Sequence, residues 1–235
     1  MASAKGLILD TLGRPFMREA HIAATRDLGE RMRVIEVEGA ALTGASWTPG
    51  DKIQVLLPSR DVRTYTPINW NAQQGRTEIV AFEHGESPGA VWSRTASVGD
   101  TLRFVGPQRS LQRSARPALV FGDETSFGVA LALARAQPTQ PLHAVFEVGA
   151  SARGQVATDL GLASVDAIER RADDVHLHEV AKAIATWLVK HPGAELFFTG
   201  RAQSIQTLRR HLRDAGVRAS GNSKAYWSVG KRGLD

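Results

Sequence analysis

Apolar and polar positions follow two different rhythms along the chain. In the first half, short runs alternate: residues 33–37 (RVIEV), 52–57 (KIQVLL), 78–82 (EIVAF) and 101–105 (TLRFV). Each is rich in β-branched residues and bounded by Gly, Pro or Asp, as half-buried strands are. Two turns share their wording, WTPGDKIQV at 47–55 and ASVGDTLRF at 96–104. A Gly-Asp turn leading twice into an alternating strand fits a six-stranded antiparallel β-barrel.

The rhythm changes after Gly106-Pro107. Residues 108–117 (QRSLQRSARP) are polar, end in proline and read as a linker. An apolar strand follows at 118–121, then a turn and a helix ending before Pro138. A second buried strand is predicted at 142–149, a helix over 175–190, a third strand at 195–200 (ELFFTG), and an amphipathic helix over 204–216 closed by Gly216. Strand–helix–strand alternation predicts a parallel, doubly wound sheet. The expected organisation is a barrel domain over 1–110 and an α/β domain over 117–235.

Composition narrows the chemistry. Apolar residues make up 43% and charged residues 23% of 235, ordinary for a globular protein with a real core. The absence of cysteine excludes disulfides, thiolate metal sites, cysteine-ligated clusters and cysteine nucleophiles. Redox chemistry would therefore need a bound cofactor. The net charge of +5 raises nucleic acid as a partner, but the basic residues are dispersed. Their densest cluster, Arg209, Arg210, His211 and Arg213, reads as a solvated helix face, so the charge suits an anionic small molecule better. No apolar run approaches the ~20 residues that a spanning helix needs, and MASAKGLILD lacks the pattern of a secretory leader. The expectation is a cytoplasmic protein that engages neither membrane nor nucleic acid.

Four stretches carry candidate chemistry. In RTYTPINW (63–70), alternation puts Arg63 and Tyr65 on one face and Thr64 and Thr66 on the other. That is either the polar face of an edge strand or a platform offering charge and a flat aromatic to a planar anion. In the stretch 82–100, Ser87-Pro88-Gly89-Ala90 leads into a short helix, a simple diphosphate site, while Trp92 reads as the core residue of a plug. FGDETSFG (121–128) stands at the carboxyl end of the first parallel strand, where ligands sit in such sheets, yet it has no phosphate-loop fingerprint, and Asp123 or Thr125 capping the next helix is the plainer reading. The tail, NSKAYWSVGKRGLD (222–235), puts Tyr226 and Trp227 among Lys224, Lys231 and Arg232; the aromatics staple the tail or border a ligand pocket. No nucleophile triad, carboxylate pair or metal cluster stands out, and His84, His176 and His178 lack metal-ligand spacing.

Taken together these residues resemble the siderophore-interacting protein family, a branch of the ferredoxin–NADP reductase superfamily. The resemblance runs through R-T-Y-T at 63–66, H-G and S-P-G-A-V-W within 84–92, G-D and G-P within 99–107, G-D-E-T at 122–125, T-G-R at 199–201 and K-A-Y-W-S-V-G-K at 224–231. It implies a FAD-binding β-barrel joined to a nucleotide-binding α/β domain. It also implies reduction of ferric siderophores through FAD, with NADPH, NADH or a reduced ferredoxin as electron donor. Carried over, Arg63, Tyr65 and Thr66 would bind the flavin, and Ser87, Gly89, Ala90 and Val91 the diphosphate, with His84 and Trp92 in the same cofactor-binding stretch. Asp123, Glu124 and Thr125 would stand at the nicotinamide side, Tyr226 and Trp227 beside the flavin, and Lys224, Lys231 and Arg232 toward the ferric chelate. No residue is a covalent catalyst and no protein metal site is implied.

Two positions depart from the family's wording. Ile68 stands where R-x-Y-T-x-R has its second arginine, which is associated with the anionic cofactor. Thr199-Gly200-Arg201 replaces a T/A-G-E segment, and with Arg153 it offers a cation for the extra phosphate of NADPH. The rival readings are a general NAD(P)H–flavin or ferredoxin-type reductase and a non-catalytic siderophore- or flavin-binding protein.

Overall fold

The repeated Gly-Asp wording is one turn used twice. The amide of Thr48 donates to Asp51 Oδ2 at 3.0 Å and that of Ser97 to Asp100 Oδ2 at 2.9 Å. Each aspartate amide returns the bond to the carbonyl of the same residue, at 2.9 and 3.1 Å. The glycine between them has a φ of 96° at position 50 and 91° at 99, where a Cβ would be strained. The computed structural model describes residues 17–150, 153–218 and 221–230, in two compact units that divide between Gln112 and Arg113.

The first unit is a seven-stranded antiparallel sheet: β1 (Arg18–Asp27), β2 (Met32–Glu38), β3 (Lys52–Leu56), β4 (Val62–Tyr65), β5 (Pro67–Asn71), β6 (Arg76–Phe82) and β7 (Thr101–Gln108). Their order is β4-β3-β7-β1-β2-β6-β5. The sheet has seven strands rather than the expected six, and RTYTPINW is divided between two of them. Proline stops β4, as the sequence implies, but β5 begins on that proline. Among the described residues β4 pairs only with β3 and β5 only with β6, so these neighbours in sequence are the opposite edges of the sheet. Consecutive Cα atoms are about 3.8 Å apart, so edges separated by Thr66 alone must meet there, and the sheet is rolled. Ile22, Ile35, Ile53, Val55, Ile79 and Phe104 fill its inside, with Trp92 from the helix α1 (Pro88–Thr95) closing over them.

The second unit is a parallel sheet of β8 (Ala118–Gly122), β9 (Leu142–Val148), β10 (Val165–Glu169), β11 (Glu195–Arg201) and β12 (Asn222–Trp227), in the order β10-β9-β8-β11-β12. The first strand is central and the order reverses beside it, the doubly wound pattern that places ligands at the carboxyl ends. Its helices are α2 (Phe127–Ala136), α3 (Arg153–Asp159), α4 (Leu177–Lys190) and α5 (Ala202–Asp214). β8, β9 and β11 read as apolar runs because both faces are covered. β10 and β12 are the edges, carry more polar residues, and had no strand signal of their own; the tail forms β12. No helix among the described residues is long and apolar enough to cross a membrane.

The linker composition conceals a buried anchor. Arg113 is 8% exposed and donates to the carbonyls of Pro141 at 2.6 Å, Arg116 at 3.0 Å, Gln140 at 3.1 Å and Leu133 at 3.3 Å. Leu133 lies in the last turn of α2, whose carbonyl end is negative. Burial pulls the Arg113 pKa down, against the charge of Glu195, which raises it. Removing the guanidinium leaves these carbonyls without their donor, so Arg113→Ala should cost about 2–4 kcal/mol. Chemical denaturation is the measurement, and Arg113→Lys should recover only a minor part because an ammonium cannot fork to four carbonyls.

Candidate functional site

In the first unit the residues of two separate motifs meet. α1 begins with Ser87 as its N-cap, whose Oγ accepts from the Ala90 amide at 3.3 Å, and Pro88 occupies the first turn where no donor is needed. Its far end is held by Arg33 of β2, which donates to the carbonyls of Ser93 at 2.6 Å and Ala96 at 3.1 Å. The helix start is thereby set against β4. A Cβ built on Gly89 would lie 3.3–3.5 Å from Arg63 Cγ, Nε and Cδ, so the arginine stem rests on that glycine. Tyr65 packs on Trp92, ring centroids 5.6 Å apart and tilted by 50°.

The charge of Arg63 is the notable part of this arrangement. Its Nη1 donates to the adjacent Val62 carbonyl at 2.8 Å, and no carboxylate pairs with it among the described residues. A half-buried guanidinium beside the positive end of a helix has the charge and the donors that suit an anion. Burial pushes the Tyr65 phenol well above its ordinary pKa, against the lowering charge of Arg63, so the ring is a neutral aromatic. Thr66 is the corner residue, Ala90 is buried, and Val91 and His84 are exposed, with the His84 ring 6.1 Å from that of Phe82. Ile68 is 2% exposed: the position where the family has a second arginine is part of the apolar interior.

In the second unit three motifs converge on one carboxylate. Asp123, 1% exposed, caps the turn after β8. Its Oδ1 accepts from the Thr125 amide at 2.9 Å and from the Thr125 hydroxyl, and its Oδ2 accepts from Trp227 Nε1 of β12 at 2.7 Å. Gly200 at the end of β11 has a φ of 89°, and a Cβ there would lie 2.6 Å from Asp123 Oδ2. G-D-E-T, T-G-R and the tail thus share a contact point that no sequence spacing reveals. Burial pushes the Asp123 pKa up to about 6, the Thr125 and Trp227 donors oppose this, and the charges of Glu124 and Glu147 add to it. Ionising it in the fold costs roughly 3 kcal/mol relative to the open chain.

Glu124 is equally engaged. Its Oε1 accepts from the Gly149 amide at 2.7 Å and its Oε2 pairs with Arg170 at 3.1 Å. Glu147 of β9, fully buried, accepts from Ser204 Oγ at 2.5 Å and from His176 Nε2 at 2.7 Å. His176 Nδ1 accepts from the Arg171 amide at 3.3 Å, which fixes the Nε2–H tautomer. Arg201 donates to Ser204 Oγ at 2.6 Å, lies 3.7 Å from Glu147 Oε1 and pairs with Asp174. The cation considered for a nucleotide phosphate is therefore neutralised by the chain's own carboxylates. The sequence reading missed this cluster, although one signal was present: Glu147 stands alone in the apolar run LHAVFEVG. Lys224 and Tyr226 lie on β12, both half-buried. Lys231 and Arg232 fall outside the described residues, as does the Arg153 side chain.

The family model described as siderophore-interacting protein matches residues 115–230, and that of the siderophore-interacting FAD-binding domain matches residues 60–111. No curated protein matches the sequence. Among solved structures, a siderophore utilization protein from T. fusca is similar with a TM-score of 0.75 at 22% identity, over 93% of this chain and 95% of that one. The siderophore-interacting protein SipS from Aeromonas hydrophila gives 0.74 at 21%, over 92% of each chain. A ferredoxin reductase in carbazole 1,9a-dioxygenase gives 0.70 at 20%, over 89% of this chain and 68% of that one. At such identities the likeness is one of fold: an antiparallel FAD-binding sheet and a parallel α/β sheet. With both units matched by models of one family, the chain belongs to the siderophore-interacting proteins.

Proposed function

We propose that this chain is a flavoprotein reductase that takes electrons from NAD(P)H or a reduced ferredoxin and reduces ferric siderophores, releasing Fe(II) in the cytoplasm. The family match to a FAD-binding domain supports the cofactor. The observation that carries the reading is Arg63, a guanidinium with no counter-ion among the described residues, laid across Gly89 at the start of α1. Arg63 and the helix end would hold the FAD diphosphate, and Tyr65, braced by Trp92, would give a flat neutral surface to the ring system. With Ile68 in the interior, Arg63 carries the charge that the family divides between two arginines.

FAD, when bound, supplies the conversion of a nicotinamide's electron pair into single electrons, which Fe(III) requires. The chain's own residues orient and hold, and none needs to form a covalent bond. The ferric chelate is the substrate, and its iron leaves as Fe(II) because the chelator grips the reduced ion less tightly. A basic chain attracts anionic chelates, and the net charge of +5 supports that approach.

The test of the whole reading is anaerobic reduction of the FAD-loaded protein by NADH, NADPH or reduced ferredoxin, followed by ferric chelates and an Fe(II) trap. Bleaching, then return of the flavin absorbance with stoichiometric trapped Fe(II), is the expected course. A reduced protein that ferric chelates fail to reoxidise would instead be a general flavin reductase. Protein that takes up no FAD would exclude both. For the site, Arg63→Ala should weaken FAD binding by about tenfold to a hundredfold, the worth of one charge-assisted contact. Flavin fluorescence titration of the apoprotein measures it, and unchanged affinity would remove Arg63 from the cofactor site.

A further inference from the structure

We propose that Asp123 is a positioning residue that acts through Trp227: the ionised carboxylate orients the indole at the end of the tail strand, and protonation weakens that hold. Three donors meet the carboxylate. Oδ1 faces the Thr125 amide at 2.9 Å and the Thr125 hydroxyl, and Oδ2 faces the Trp227 indole N–H at 2.7 Å. A proton on Oδ2 would take its remaining lone pair and make it a weaker acceptor for the indole. A proton on Oδ1 would have to displace the amide bond and turn the Thr125 hydroxyl from donor to acceptor. Either way the charge-assisted contact to Trp227 becomes at best a neutral one, about half as strong.

β12 is built so that this contact matters. It is an edge strand, paired with β11 alone, and its register with β11 shifts between Gly200 and Arg201: Ala225 pairs with Gly200, but Trp227 pairs with Arg201. Tyr226 is thus an inserted residue, and such irregularities re-aim the side chains that follow. Beyond Trp227 the described chain is held through Gln203, which bonds Ser228 Oγ at 2.9 Å and accepts from the Val229 amide at 3.4 Å.

The surroundings put the switch within reach of ordinary pH. Asp123 has no ion-pair partner among the described residues. From its own turn comes Glu124, matched by Arg170 from the segment after β10; from β9 comes Glu147, matched by His176, Ser204 and Arg201 at the end of β11. Lys224 is the charged residue of β12 itself. Burial first, with Glu124 and Glu147 adding to it against the Thr125 and Trp227 donors, places the carboxyl near 6. The sign follows. Since this lies above the ordinary 3.8, the folded chain holds its proton longer than the unfolded one. The associated stability is full below 3.8 and is lost as pH rises through about 6. The contact to Trp227 is charge-assisted in the less stable, ionised form above that pH and neutral and weaker below it.

Nuclear magnetic resonance of the full chain decides the matter. The Trp227 indole N–H, assigned by its loss in Trp227→Phe, should shift between pH 5 and 8 with a midpoint near 6, while the other four tryptophan indoles do not follow. Asp123→Asn should abolish the shift. Thr125→Ala keeps the carboxylate but removes one donor to its ionised form, and should raise the midpoint by about half a unit to one unit. A Trp227 signal flat across this range, an unchanged titration in Asp123→Asn, or an unmoved midpoint in Thr125→Ala would overturn the proposal. The consequence for turnover rests on the flavin reading: reoxidation by a ferric chelate should share the midpoint. The indole titration needs neither flavin nor chelate, so its failure counts against the positioning role of Asp123, whereas failure of chelates to reoxidise counts against the proposed function.

Discussion

A carboxylate removed from water must be met by donors or cations, and that requirement organises the carboxyl end of the parallel sheet. Asp123, Glu124 and Glu147 are all nearly inaccessible. Each draws partners from a different part of the chain: Trp227 and Thr125 for the first, Arg170 and the Gly149 amide for the second, His176, Ser204 and Arg201 for the third. Loss of a cationic partner would leave a buried charge uncompensated, an effect worth several kcal/mol, and loss of a neutral donor costs less. The ends of β8, β9, β11 and β12 are therefore tied to one another through these carboxylates as well as by the hydrogen-bond ladder.

The first unit treats its charge in the opposite way. Arg33 is committed to helix carbonyls and to Asp27, whereas among the described residues Arg63 donates to the carbonyl beside it alone. The difference marks off an arginine committed to structure more sharply than sequence context does. In the proposed cofactor site, the burial of Ile68 would leave the demand for positive charge to a single side chain. The helix end that Arg63 lies against would add oriented amides, which need no counter-ion of their own.

Much of this was legible in the chain's wording. The alternating and apolar runs marked β2, β3, β6 and β7 of the first sheet and β8, β9 and β11 of the second, while β1 and β5 went unread; the two Gly-Asp turns were visible as a repeat because their chemistry is local. The R-T-Y-T and S-P-G-A stretches stood out because each holds polar residues where a core would be apolar. What stayed hidden is long-range. The Asp123–Trp227 bond spans 104 positions, Arg113 looks like any linker arginine, and Arg201 looks available until Asp174 and Glu147 are placed beside it. β10 and β12 were missed for a related reason: an edge strand is half solvated, so its composition resembles a loop.

The corner at Thr66 has a consequence for how the chain meets other chains in a crowded solution. Every open sheet has two margins with unpaired amides and carbonyls, and these are where another chain can add a strand. Here the two margins, β4 and β5, are joined end to end through one residue, and one of them begins with a proline that has no amide hydrogen. A foreign strand approaching either margin would meet the other margin turning away from the same corner. The bend that brings Arg63 and Tyr65 to the helix is thus also a defence against templated aggregation.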